Sequence, residues 1–196
     1  MLSVTPSLYN AYYWYALKDY GDKEDFLKVL RKEKTEPTES AKAGIEFEDR
    51  VLKICEGLLA PCGDVASQIA EIVRGGIWQP WLGREYNGLW LYGRADVIKC
   101  DTIYDIKLCE KHELGKYNYS LQHHIYSYCT EISKVVYLIC ERKKSGEESL
   151  HFEEYNFDKY AMEEMKSKIS DLLGFIEGNE EFKREYEERW KAQEKK

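Results

Sequence analysis

Asp96, Asp105 and Lys107 put two carboxylates and an ammonium close together on neighbouring β-like stretches. That set could hold a divalent cation through hard oxygen donors and neutralise charge on an anionic substrate. Residues 89–98 and 102–109 are rich in apolar, β-branched and aromatic residues, and the polar break Lys99-Cys100-Asp101 between them predicts a hairpin. Asp105 and Lys107, two apart, share one strand face with Ile103, whereas Tyr104, Ile106 and Leu108 form the other. An Asp-x-Lys could equally be the polar face of a one-sided antiparallel sheet, with Asp96 an ordinary surface acid. The rest of the chain favours chemistry.

Two predicted helices add further polar groups. Over residues 41–59, Gly44, Ile45, Phe47, Val51, Leu52, Ile54, Cys55, Leu58 and Leu59 trace a broad apolar face with Glu48 in its middle. Glu46 lies about 200° around the helix from Glu48, on the polar side with Asp49, Arg50 and Lys53. Glu48 is therefore the acid aimed at the sheet, and a core-facing carboxylate needs a cation or a hydrogen-bond partner. Over residues 114–132, Gln122 and Tyr126 stand one turn apart, on the side of Cys129. That pair suits the orientation of a water or a phosphate; the bland alternative is a core tyrosine with a surface glutamine. His123 and His124 have no second ligand at metal spacing and are read as ordinary or nucleic-acid-facing residues, and Arg94 as structural, on the strand face opposite Asp96.

The remaining elements must position these groups. Helices are expected over 8–17 and 23–34, then a polar break at 35–40, with Pro61-Cys62-Gly63 stopping the third helix. Residues 64–76 are ambiguous between helix and loop. Residues 77–86 read as a strand ending in the Asn87-Gly88 turn, 134–141 and 150–155 as two more, and everything from Asp158 as helix, with 187–196 a solvated tail. The order predicts an α/β layered domain: a central mixed sheet of about five strands flanked by helices. A single domain is expected over 1–196, with N-terminal helices to 39, a catalytic core over 40–156 and C-terminal helices from 157.

Hydrophobic residues at 43% argue against disorder, and sixteen tyrosines and five tryptophans could pack the core or stack on bases. A net charge of −7 excludes a surface coated in positive potential, so any nucleic acid must meet a local basic patch. Lys99, Lys107, Lys111, His112 and Lys116 supply one, with the run Arg142-Lys143-Lys144 as a candidate extension. The first residues lack the pattern of a secretory leader, and no apolar run is long enough to span a membrane, so a cytoplasmic location without membrane partners is expected. Six cysteines without a C-x-x-C pair read as small core residues in a reducing compartment.

Gly44-x-x-x-Glu48, Gly93-Arg94-Ala95-Asp96-Val97-Ile98, Asp105-Ile106-Lys107 and Gln122-x-x-x-Tyr126, in that order, resemble the PD-(D/E)XK nuclease superfamily, closest to its RecB-like and phage-exonuclease branch. The opening Ser7-Leu8-Tyr9 is similar to that branch's S-x-L start, while Ala95 replaces the proline before the first Asp. The resemblance implies a restriction-endonuclease-like fold in which Glu48, Asp96 and Asp105 bind one or two Mg²⁺ or Mn²⁺ ions, with the Ile106 carbonyl a further ligand. Lys107 would then serve the water or the phosphate, with Gln122 and Tyr126 placing water or the scissile strand. No cysteine lies in the opening motif or beyond Cys140, so no iron–sulfur cluster is expected. The implied activity is sequence-independent exonucleolytic hydrolysis of DNA in phage or bacterial recombination or repair, by a homo-oligomer or with a phage recombination partner. The alternatives are a structure-specific or restriction-like endonuclease on the same core, and a non-catalytic nucleic-acid-binding module.

Overall fold

The alternation of β7 (Lys134–Arg142) organises the molecule, because both faces of this strand are buried. Val135, Tyr137 and Ile139 enter one apolar cluster; Val136, Leu138 and Cys140 enter the other. In the computed structural model, which describes residues 1–191, β7 lies in a five-stranded mixed sheet ordered β2-β5-β6-β7-β8. Its members are β2 (Ile77–Trp78), β5 (Val97–Lys99), β6 (Thr102–Cys109), β7 and β8 (Glu148–Asn156). Only β6 and β7 run parallel, and α5 (Gln122–Thr130) lies in the crossover that a parallel pair requires. Helices α3 (Glu39–Cys55) and α4 (Val65–Val73) cover one face; α1 (Pro6–Tyr12), α2 (Lys23–Leu30), α5, α6 (Lys159–Glu177) and α7 (Glu180–Arg189) belong to the other.

A second sheet, ordered β1-β4-β3, joins β1 (Leu2–Val4), β3 (Trp81–Tyr86) and β4 (Leu89–Arg94). The two sheets share one bent hairpin. Trp81 pairs with Arg94 in one and Trp78 with Val97 in the other, a single register carried through a bend. At the bend Gln79 N–H donates to the Asp96 carbonyl at 2.8 Å and Ala95 N–H to the Pro80 carbonyl at 3.3 Å. Pro80 has no amide to donate and Gln79 adopts φ 48°, so regular pairing cannot continue. The stretches 77–86 and 89–98, each expected as one strand, are therefore each broken in two.

Other expectations shift for local reasons. The helix expected over 114–132 starts only at Gln122, because Gly115 at φ +77° leads a series of turns. The third helix ends at Cys55, leaving Leu58 and Leu59 exposed beyond it, and Ile45 is exposed as well; its buried stripe is Phe47, Val51 and Ile54. The ambiguous residues 64–76 contain α4, capped by Asp64, whose Oδ1 accepts from Ser67 N–H at 2.9 Å. In the expected solvated tail residues 187–189 are exposed, but Trp190 is 4% exposed and donates its indole N–H to the Leu30 carbonyl. Residues 192–196 of that tail lie outside the described residues. Among the cysteines only Cys140 is buried, and Cys62 and Cys100 are exposed. No described helix is long and apolar enough to cross a membrane.

Candidate active site

β5 pairs with β6 only as far as Val97 opposite Tyr104, so the next position sets Asp96 against Asp105 where the ladder ends. Asp96 Oδ2 takes over the lost backbone partner, accepting the Ile106 N–H at 2.7 Å. In an extended strand a residue's N–H and C=O point to the same side. The Ile106 carbonyl therefore opens onto the same gap.

Asp105 is fully buried among polar partners. Its Oδ1 accepts from Gln122 Nε2 at 2.5 Å; Lys107 Nζ lies 2.5 Å from its Oδ2 but out of line, leaving Oδ2 without a hydrogen bond. Gln122 Nε2 also donates to the Tyr126 hydroxyl at 3.1 Å, which in turn donates to the Arg94 carbonyl at 2.5 Å. The chain of contacts runs from the buried acid to the hairpin bend that carries Asp96. Gly93 belongs to it, because a Cβ there would stand 2.8 Å from the Tyr126 ring. Gln122 and Tyr126 thus hold protein groups, where the sequence suggested a grip on water or substrate.

Glu48 approaches from α3, on the opposite face of the sheet, and is half-buried. The open edge of β6 lets the charges of Lys107, Asp105 and Arg94 act on its carboxyl. Burial raises the pKa of Glu48 despite Lys107. Burial and then the facing Asp105 push Asp96 well above the carboxylate range, and burial raises Asp105 against the pull of Lys107. For Lys107 itself, burial would lower the pKa, but Asp105 and Asp96 outweigh it and hold the ammonium charged. Its side chain keeps 27% exposure, enough to meet a ligand.

This donor set fits a hard divalent cation. Its oxygens are hard, the Lys107 ammonium beside Asp105 Oδ2 is out of line for a hydrogen bond, and burial raises the pKa of all three carboxyls. As it stands, no group of three His, Cys, Asp or Glu among the described residues is gathered closely enough to hold a metal ion.

Arg94 was misjudged in sequence. Its side chain is exposed, its guanidinium lies 5.8 Å from the Trp81 ring centroid, and its charge reaches Glu48. Its spacing from Asp96 put both on one strand face, the signal that was passed over. His123 and His124 are 6% and 1% exposed, buried in the interior rather than on a nucleic-acid-facing surface. The basic patch is largely neutralised: Lys111 pairs with Glu113, Arg142 with Glu148 and Lys143 with Glu147, while Lys99 Nζ donates to the Ile72 carbonyl.

No family model matches the chain, and no curated protein matches it significantly. Solved structures do. A candidate exonuclease from Eubacterium rectale matches with TM-score 0.55 at 12% identity, over 90% of this chain and 82% of that one. An alkaline exonuclease from Laribacter hongkongensis matches with TM-score 0.54 at 14% identity, over 93% of this chain and 90% of that one. The same enzyme in complex with dAMP matches equally. At such identities the likeness concerns architecture: the chain has the fold of these exonuclease structures, a mixed α/β nuclease fold.

Proposed function

We propose that the protein is a divalent-metal-dependent DNA exonuclease that hydrolyses phosphodiester bonds from strand ends. The observation that carries this reading is Asp96 set against Asp105 at an open strand edge, with Lys107 2.5 Å from the second acid, on an exonuclease-like fold. Glu48, Asp96, Asp105 and the Ile106 carbonyl would hold Mg²⁺ or Mn²⁺. The cation supplies Lewis acidity toward water and a phosphoryl oxygen.

Lys107, charged and partly exposed, offsets the negative charge that grows on the phosphate as water adds and the ester P–O bond breaks. Gln122 fixes Asp105 through Oδ1, and a cation would meet Oδ2 on the side that Lys107 leaves open. Tyr126 pins the bend at Arg94 and so sets Asp96 relative to Asp105. With few unpaired basic side chains near the site among the described residues, sequence readout is not expected.

The test is incubation of linear, nicked and covalently closed circular DNA with Mg²⁺ or Mn²⁺, beside a Lys107→Ala control. Linear DNA should be degraded progressively and closed circles spared. Discrete fragments from a closed circle would make the enzyme an endonuclease, and no hydrolysis of any form would refute the nuclease reading.

A further inference from the structure

A group of aromatic rings beside the site is left unexplained by catalysis. The segment after α1 winds as a π-helical turn, Tyr13–Leu17, a rare conformation that recurs at functional sites. It carries Tyr13 and Trp14 toward Tyr119, three residues before Gln122. Tyr13 and Tyr119 stack with centroids 4.4 Å apart, Trp14 meets Tyr119 edge-on at 5.5 Å, and Tyr20 meets Trp14 at 6.1 Å. Despite these contacts Trp14 remains 42% exposed and Tyr20 74%. Lys18 Nζ lies 5.4 Å from the Tyr13 ring centroid, and Asp19 is the one carboxylate in residues 13–20. Tyr119 stands on the segment that leads into Gln122, the residue that holds Asp105, so the cluster lies on the approach to the site.

We propose that Trp14, Tyr20 and Tyr119, braced by Tyr13, form a stacking platform for the unpaired bases of a nucleic-acid strand entering the site. Charge explains why such a platform is needed. The molecule carries −7 overall, and most of the cations near the site are already paired, so grip on the phosphate backbone is weak. Stacking depends little on that charge and tolerates any base. It thus fits a strand read without regard to sequence, with Lys18 placed for an adjacent phosphate. The proposal rests on the nuclease reading and refines it: the substrate has single-stranded character where it meets the enzyme.

The probe is a labelled duplex with an oligothymidine tail, compared with the same duplex whose tail is abasic, with Ca²⁺ in place of Mg²⁺ and anisotropy as the readout. The native protein should bind the base-bearing tail about five- to a hundredfold more tightly than the abasic one. Trp14→Ala and Tyr20→Ala should each reduce that ratio without lowering the melting temperature, and Trp14→Phe should keep most of it. Equal binding of both tails, while linear DNA is still hydrolysed, overturns the platform and leaves the nuclease standing. Failure to bind or hydrolyse any DNA overturns both. If Trp14→Ala instead dissolves an oligomer and leaves the ratio unchanged, the rings are a self-association face and the platform is wrong.

Discussion

The two halves of the candidate site are built to different standards. The hairpin half is held by hydrogen bonds: Asp96 to the Ile106 amide, Asp105 to Gln122, Gln122 to Tyr126, Tyr126 to the Arg94 carbonyl. The α3 half offers Glu48, felt through the open edge of β6 by charge rather than by a bond. Protein contacts thus preorganise one half, and in the proposed function a cation would draw in the other.

The largest expected effect falls on the hairpin half. Lys107→Ala should lower turnover on linear DNA by about 10²–10³ while leaving the fold intact, since it removes one preorganised charge. Unchanged turnover would exclude Lys107 from catalysis.

Acid should come next. His123 and His124 follow Gln122 on α5; burial, with His124 and Lys168, lowers the pKa of His123 to about 2, and burial with Lys168 lowers that of His124 to about 4. Unfolded imidazoles titrate near 6.5, so below that pH the unfolded state binds protons that the folded state refuses. Stability should therefore fall as pH drops from 6.5 toward 4, by on the order of several kcal/mol. Because the raised carboxyls pull the other way, the check is the difference between the native protein and His124→Asn: a pH dependence unchanged by that substitution would contradict a neutral buried imidazole.

Tyr126→Phe should cost about 1–3 kcal/mol, because the Arg94 carbonyl loses its partner. Gly93→Ala should cost a similar ~1–3 kcal/mol by overpacking the Tyr126 ring. Urea denaturation measures both, and a neutral result for either would show that the bend does not depend on this contact.

For the α3 half the contrast is sharpest in Mg²⁺. A carboxyl whose folded pKa is raised loses stability as pH rises from its unfolded pKa through its folded one, so a cation that replaces the proton should restore it. With the cation at about ten times its Kd, the gain is about 1.4 kcal/mol, or roughly 3 °C in melting temperature. Glu48→Gln should abolish that gain yet melt no lower than the native protein in EDTA. A Mg²⁺ shift that survives Glu48→Gln would remove Glu48 from the cation site.

The smallest effect belongs to Gly44. A Cβ there meets nothing within 4 Å, so Gly44→Ala should stabilise α3 by about 0.5–1 kcal/mol. Lost stability would reveal a packing constraint on α3 that the fold does not show.

Legibility in the sequence followed the range of the interaction. Period-2 alternation and a polar break made the hairpin of β5 and β6 readable, and helical spacing placed Glu48, Gln122 and Tyr126. The bend at Gln79-Pro80 and Ala95-Asp96 stayed hidden, because residues 89–98 keep their strand composition straight through it. β1 was too short to carry a pattern, and its parallel pairing with β4 is set by tertiary contact. The basic patch misled for a related reason: sequence shows the cations near the site but not the carboxylates that fold back onto them.

Trp190 has one more consequence. Its carbonyl accepts from Ser3 Oγ at 2.7 Å, the Tyr186 hydroxyl donates to the Ser3 carbonyl, and Leu2 bridges to Lys191. The strand thus held, β1, flanks β4, whose end is the bend bearing Asp96. These contacts join residues 187 and 183 apart in sequence, so they close a long loop whose ordering costs chain entropy. Removing the last turn of α7 would therefore unlatch β1 and with it loosen the strand that carries the bend.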